Sequence, residues 1–171
     1  MTIQDSFLAD AKLVELDTTR TLSFAEIDEY SIRYYIQDRL SAWNWTLEVK
    51  PMDDGWPEFE DVRAPGVYVD VQHRDASGVE LGSMGSGLIV VVQIIGQNPA
   101  QRTRLAELIK GIFRDTVPIY DFVTGNEDPP TPTGEYFITD DVGWDKVPST
   151  YTDPDKKRWR ANVTAELRRA E

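Results

Sequence analysis

Two stretches of the chain carry hydrophobic residues at helical spacing, and each opens with residues that favour a helix start. Ser23 followed by Glu26 is a capping-box pattern, and the apolar positions after it recur every three or four residues, so we predict a helix over Phe24–Ala42. Asn98 precedes a proline that suits the first turn of a helix, and an apolar stripe follows. This pattern predicts a second helix over Pro99–Arg114.

Alternation of apolar and polar residues predicts strands in much of the remaining chain. It is clearest in Trp159–Leu167, where odd positions are apolar and even positions are polar and mainly basic. Val67–His73 alternates similarly, and the apolar run Leu88–Ile95 is typical of a strand covered on both faces, so we expect these two to pair as a long hairpin. Weaker patterns predict a short strand at Thr46–Lys50, a strand or an apolar loop at Pro118–Val123, and a return to the sheet at Tyr136–Thr139.

These elements together predict an α+β fold. We expect a largely antiparallel sheet with two main helices packed against it and a long β-hairpin, because too few helices connect the strands for a doubly wound parallel sheet. The predicted domain covers residues 23–171 and contains a long Pro-rich loop over residues 124–135. Residues 1–22 are predicted to form an N-terminal arm or a short helix.

The composition narrows the functional classes. The 171-residue chain has no Cys and a single His, His73, so it lacks disulfides, thiolate nucleophiles and cysteine-based metal sites. Thirty acidic against 18 basic residues give a formal charge of -12 at pH 7, which repels phosphate backbones and anionic membranes. We find no signal-peptide pattern and no apolar run long enough for a membrane span. We therefore expect a protein made in the cytoplasm that works by binding or assembly, with carboxylate-only catalysis as the enzymatic alternative.

Two local patterns look like ligand sites and are explained more simply by loops. Asp53–Asp61 holds five carboxylates and could bind a hard cation, but its spacing does not match an EF-hand, so a solvated loop anchored by aromatic residues is favoured. The glycines from Gly82 to Gly87 precede a strand rather than a helix, which favours a mobile hairpin tip over a phosphate-binding loop. We assign no catalytic, metal-binding or cofactor-binding residue.

Charge is unevenly distributed along the chain. Residues 126–155 contain eight acidic residues and one basic residue, whereas residues 156–170 contain six basic residues and one acidic residue. This segregation indicates either charge balance across one sheet or a head-to-tail interface in which the acidic region of one subunit meets the basic strand of the next. The candidate interface residues are Trp56, Glu58, Phe59, Gly82, Met84, Gly85, Trp144, Arg158 and Arg160, with the two tryptophans expected as exposed contact centres in acidic loops.

The order of these elements resembles the tail terminator proteins of tailed bacteriophages. The features that carry the resemblance are a helix ending near Trp43, the strand Gly66–Val71, the run Leu88–Ile95, the helix Arg102–Phe113 and the closing strand Trp159–Leu167. The resemblance implies a structural virion protein, a homohexamer that caps the tail tube, stops its polymerisation and joins the tail to the head connector. It implies no catalytic residue and no cofactor.

The same resemblance implies the partners of the protein. These would be further copies of the chain, the tail tube protein, and the head connector or other neck proteins, while DNA passes through the ring without specific binding. A carboxylate-lined channel would repel the DNA phosphates. The alternatives are another neck protein (a head-completion or adaptor protein), a small carboxylate-dependent enzyme, and a monomeric acidic module for a basic partner.

Overall fold

The computed structural model describes residues 22–52, 64–74, 87–122, 129–147 and 159–170. Two helices lie in this part of the chain, α1 over Phe24–Ala42 and α2 over Pro99–Ile112. The same ranges contain six strands: β1 Val49–Pro51, β2 Gly66–Arg74, β3 Gly87–Gly96, β4 Val117–Asp121, β5 Thr131–Val147 and β6 Trp159–Arg169. Apart from Leu22, the predicted N-terminal arm over residues 1–22 lies outside the described residues.

Both helices begin where the sequence predicts. At the start of α1, the Glu26 N–H donates to Ser23 Oγ at 3.3 Å and the Ser23 N–H donates to Glu26 Oε2 at 2.8 Å, which completes the capping box. At the start of α2, the Gln101 N–H donates to Asn98 Oδ1 at 2.8 Å. Helix α1 has the predicted bounds, and α2 ends at Ile112 instead of Arg114.

The strands form one sheet in the order β1-β2-β3-β6-β5-β4. Every neighbouring pair is antiparallel except β1 and β2, which run parallel. Strands β2 and β3 pair from Gly66 opposite Ile95 to Arg74 opposite Gly87, which confirms the two hairpin strands, while the hairpin tip lies outside the described residues. The two helices and the largely antiparallel sheet make the α+β fold that the sequence predicts.

One face of the sheet and both helices enclose the hydrophobic core. Strand β6 shows the predicted alternation, with Ala161, Val163, Ala165 and Leu167 buried and the residues between them half-buried or exposed. Helix α1 packs mainly on β4 and β1, and α2 packs mainly on β6 and β3. Side chains from both helices and from all six strands join one buried cluster, so both helices cover the same face of the sheet.

Two short strands differ from their predicted bounds. Strand β1 begins at Val49, three residues after the predicted start at Thr46, and it includes Pro51. Proline is tolerated there because β1 is an edge strand whose outer side needs no ladder donor. Strand β4 settles the alternative at Pro118–Val123 in favour of a strand, and it ends at Asp121.

The predicted loop over residues 124–135 is too long, because β5 begins at Thr131. Thr131 pairs with Asp121 of β4, so the breaker-rich sequence that follows is held in the sheet by its neighbour. Gly134 has a φ of 92°, a left-handed conformation that glycine adopts without a steric penalty. Tertiary pairing thus overrides a local composition that is typical of loops.

The length of β5 is hidden by an irregularity in its register. Its pairing with β6 shifts between Thr139 and Asp141, and such a bulge moves the following side chains to the opposite face. Phe137 before the bulge and Trp144 after it both pack against the core, although one position is odd and the other even. A single period-two pattern therefore does not run through β5, and the sequence indicated only Tyr136–Thr139.

Helix α1 is hydrogen-bonded to both edges of the sheet. The Tyr120 N–H of β4 donates to Ser31 Oγ at 3.0 Å. Near the other end of the helix, Gln37 Nε2 donates to the Leu47 carbonyl at 2.7 Å, and Gln37 Oε1 accepts from the Val49 N–H of β1 at 2.8 Å. Because β1 and β4 are the two edge strands, one helix closes the sheet around the core.

We expect Gln37→Ala to destabilise the fold, because it leaves the Leu47 carbonyl and the Val49 N–H without their partner in a buried place. The loss should be about 1–3 kcal/mol for each orphaned group, measured by denaturant unfolding. The control is Gln72→Ala, because the exposed Gln72 amide donates to the side chain of Asp70 at 2.7 Å and bonds to no backbone group among the described residues. Its effect should stay within about 0.5 kcal/mol, and equal losses in the two variants would contradict the role of Gln37.

Candidate functional site

The face of the sheet turned away from α1 and α2, which we call the far face, is a candidate interaction surface. Strands β2, β3, β6 and β5 contribute the side chains that alternate with their core positions. The far face comprises Tyr68, Asp70 and Gln72 of β2, Ile89, Val91, Gln93 and Ile95 of β3, Arg160, Asn162, Thr164, Glu166 and Arg168 of β6, and Asp141, Gly143, Asp145 and Val147 of β5.

A row of polar side chains crosses the far face. The register places Tyr68 opposite Gln93, Gln93 opposite Asn162, and Asn162 opposite Asp145. Gln93 is fully buried, and neither its amide nitrogen nor its amide oxygen has a hydrogen-bond partner among the described residues. Buried amides are costly to leave unpaired, so this row is a place where an ordered water or a further polar group would complete the hydrogen bonds.

Apolar residues lie beside this row. Ile89 and Val91 of β3 are half-buried, and at the other end of the strand Ile95 and the Tyr68 ring form a small buried cluster against which Met52 packs. That end of the far face is therefore already covered within the chain. Ile89 and Val91 are the apolar side chains of β3 that remain partly open to a partner.

The far face carries charges of both signs. The strands named above contribute four carboxylates and two arginines: Asp70, Asp141, Asp145 and Glu166 with Arg160 and Arg168. The same alternation assigns two further basic positions to this face, Lys50 of β1 opposite Tyr68 and Arg74 of β2 opposite Gly87. Asp141 and Glu166 are direct cross-strand partners, so the face is acidic at that point.

The segregated charges in the sequence meet within one chain. The acidic strand β5 is the neighbour of the basic strand β6, and Arg168 Nε lies 2.8 Å from Asp140 Oδ1. Arg169 Nη2 lies 2.9 Å from Glu135 Oε2 and 3.9 Å from Asp28 Oδ1. For these two arginines, charge balance inside the sheet is confirmed.

The carboxyl group of Asp28 on α1 is buried beside these charges. Burial raises its pKa above the ordinary value, while the positive charge of Arg169 and the nearby His73 act in the opposite direction and Glu135 adds to the increase. The net direction is upward, so desolvation outweighs the ion pair. The titration of Asp28 should therefore make the free energy of unfolding depend on pH.

The structure describes two of the nine predicted interface residues. The prediction that Trp144 lies in an acidic loop is wrong. It lies in strand β5, where it packs against the core and its indole N–H donates to Glu107 Oε1 at 2.6 Å. Arg160 lies on the far face between Ile95 and Val147, and its Nε and Nη2 atoms are buried. The other candidates lie outside the described residues: Trp56, Glu58, Phe59, Gly82, Met84, Gly85 and Arg158.

Sequence reasoning did not single out the buried amides of the far face. Gln93 is the one polar residue in the run Leu88–Ile95, and this interruption is the signal that could have found it. Asn162 stands at an even, polar position of β6 and is indistinguishable there from a solvated residue. Only the pairing of β3 with β6 shows that Asn162 lies opposite Gln93.

Within the described ranges, no group of three or more His, Asp or Glu residues is placed to hold a metal ion. Neither of the two described helices has the length and apolar composition needed to cross a bilayer. His73 is exposed near the end of β2.

Comparison with known proteins gives no family assignment. No protein-family model matches the chain, and no curated protein matches it. Among twelve matching chains of solved structures, one whose name states no function is 14% identical, with 84% of this chain and 96% of that chain covered and a TM-score of 0.44. A likeness at that level carries no functional implication.

We expect Asp28→Asn to raise the melting temperature at pH 7, because it removes a buried carboxylate whose ionised form is disfavoured in the folded state. The folded pKa lies above the ordinary value of 3.8, so the destabilisation grows as the pH rises from about that value and is complete above the folded pKa. The gain should therefore shrink as the pH falls toward 4, in thermal melts recorded across this range.

The control for this variant is Asp38→Asn, on an exposed position of the same helix. It should give no comparable pH-dependent gain. A lower melting temperature for Asp28→Asn at pH 7 would mean that the pairing with Arg169 outweighs burial, contrary to the direction of the pKa shift.

Proposed function

We propose that this chain is a structural virion protein, the subunit of a ring that caps a bacteriophage tail tube. The ring stops polymerisation of the tube and joins the tail to the head connector, with DNA passing through its centre. One observation carries the proposal: both described helices lie on one face of the sheet, and the far face is left with a surface of mixed polarity that includes the neighbouring acids Asp141 and Glu166.

This division of faces suits a subunit of a ring around DNA. With the helices outward, the far face turns toward the channel and presents its carboxylates to the DNA. A negative lining repels phosphates and lowers adhesion during passage.

Repeated head-to-tail contacts between copies close such a ring, and the resemblance to tail terminators suggests six copies. The remaining partners are the tail tube protein and the head connector or another neck protein. The ring acts by occupying the growing end of the tube without offering a further self-complementary surface there. The protein is then assembled in the host cytoplasm and retained in the neck of the virion.

The purified protein should form rings and cap tail tubes. We expect negative-stain images to show a ring with a central channel at one end of each tube, and capped tubes should stop growing when tube subunits are added. Light scattering should show a mass that increases with concentration or on addition of tube. A monomer that neither associates nor caps tubes contradicts the proposal, and a ring found only on the capsid side supports a head-completion or adaptor protein instead.

Charge reversal on the far face should make the ring retain DNA without preventing assembly. We expect the double variant Asp141→Lys, Glu166→Lys to bind duplex DNA in a mobility-shift assay, with an affinity that falls as salt rises. The matched control reverses two exposed acids away from the far face, Asp38→Lys and Asp115→Lys. Equal DNA retention by both double variants would show that the far face does not line the channel.

A further inference from the structure

Two strands of the sheet have outer edges that are only partly paired within the described chain. Strand β1 covers β2 only from Val67 to Val69, and the Met52 N–H donates to the Val69 carbonyl at 2.8 Å. Since the Val69 backbone points to this outer side, the two-residue alternation of a strand turns the backbone groups of Val71 and His73 to the same side. No described strand lies on this outer side of Val71 and His73.

The second edge belongs to β5. Strand β4 pairs with β5 up to Phe137, beyond which only β6 pairs with it in the described part of the chain. The Ala170 N–H donates to the Tyr136 carbonyl at 2.9 Å, which fixes the groups that face β6 before the bulge. The bulge adds one residue to β5, so that Asp141 faces β6 in the new register. Alternation beyond it turns the backbone groups of Val142 and Trp144 away from β6, toward the open edge.

The side chain of Asp141 supports this assignment for Val142. Asp141 Oδ1 accepts the Val142 N–H at 2.9 Å, so this amide is bonded to a neighbouring carboxylate and not to a strand. Local side-chain acceptors of this kind satisfy backbone donors that lack a ladder partner. The bond is exposed and is readily exchanged for one to a carbonyl of another chain.

We propose that these two edges join copies of this chain head to tail, with β5 of one copy adding to β2 of the next. This rests on the proposed ring and names the contact that closes it. Strands β2, β3, β6 and β5 alternate in direction, so β2 and β5 run opposite ways, and a neighbour in the same orientation meets the edge in the antiparallel sense. Antiparallel pairing is the commoner arrangement and continues the sheet without interruption.

The positions of the two open edges along the strand direction favour a closed ring. Gln72, Ile89, Glu166 and Asp141 occupy one cross-strand row, so the open parts of β2 and β5 lie at nearly the same level of the sheet. Neighbouring copies joined at these edges are then related by a rotation, with little displacement along the strand direction. Head-to-tail contacts of this kind close into a ring, whereas a large shift would generate a filament.

The hydrophobic margin of the core ends at the same two edges. Val71 on β2 and Val142 and Trp144 on β5 are partly buried and pack against the core cluster. Pairing Val71 with Trp144 and His73 with Val142 would place these apolar side chains beside one another across the junction and remove more of their surface from water. This complementarity identifies a second copy of the chain as the occupant.

The junction is short, and this also favours closure. Five residues of β2, from Asp70 to Arg74, extend beyond the part covered by β1. An edge of that length spans about 17 Å and buries less than the roughly 1,200 Å² of a stable pairwise interface. Each copy in a ring is held at both of its edges, so closure supplies the stability that one junction lacks.

Proline substitutions test the junction directly, because proline removes the outward N–H and is tolerated at an unpaired strand edge. We expect His73→Pro and Val142→Pro each to weaken self-association about tenfold or more, through the lost hydrogen bond and the unpaired carbonyl opposite it. The matched controls His73→Ala and Val142→Ala keep the N–H and should still assemble. Circular dichroism and thermal melts of all four variants check that the subunit folds.

Mixing the two proline variants gives a sharper test by sedimentation velocity. The Val142→Pro subunit keeps an intact β2 edge and the His73→Pro subunit keeps an intact β5 edge. An equimolar mixture should therefore form no rings, and mixed dimers held by one junction should appear only at concentrations well above those at which the wild-type chain assembles. Rings formed by either proline variant, or dimers formed equally well by each proline variant alone, would overturn the proposal.

The outcomes separate this proposal from the function proposed above. If wild-type rings cap tubes and the proline variants behave like wild type, the edge junction is wrong and the capping function stands. If the wild-type chain stays monomeric with tube present, both are wrong. Slow amide exchange at Val142 and Trp144 in such a monomer would show that another part of this chain covers the edge.

Discussion

The fold depends on one helix that is hydrogen-bonded to both edges of its sheet. Ser31 of α1 accepts the backbone N–H of Tyr120 in β4, and Gln37 bonds to Leu47 and to Val49 at the start of β1. All three bonds are buried, where a backbone group without a partner costs more than the bond itself contributes. The sheet therefore cannot flatten away from α1 without leaving buried groups unpaired, and its two edge strands are held around a single core.

This constraint decides where the remaining surfaces lie. Helix α1 spans from one edge to the other and α2 fills the centre, so the core takes up one whole face of the sheet. The far face keeps the polar half of each alternating strand, together with the buried amide of Gln93. Strands β1 and β4 cover only part of the edges that they border and leave the outward backbones of Val71 and Val142 without a described strand beside them. The surfaces proposed above for assembly are therefore those that the closed core does not use.

The sequence predicts those parts of the fold whose signals are local. The cap at Ser23, the cap at Asn98 and the alternation of Trp159–Leu167 each depend on neighbouring residues, and each is found as predicted. Strand β5 was largely missed, because the bulge after Thr139 changes which face its side chains take and because Gly134 and the prolines look like a loop. Trp144 was misplaced for the same reason. The far face required the register between strands, which no periodicity supplies.

The net charge of -12 takes on a spatial meaning once the register is known. Arg168 and Arg169 are paired with acids of their own chain, so the described part of the basic end of the sequence is partly neutralised. The far face carries charges of both signs, with Asp141 and Glu166 as neighbouring acids across β5 and β6. The field at each point of this face therefore depends on how the charges are arranged between the strands, and not on the net charge of the whole chain. In the ring proposed above, the acidic part of the far face is the part that would turn toward the DNA.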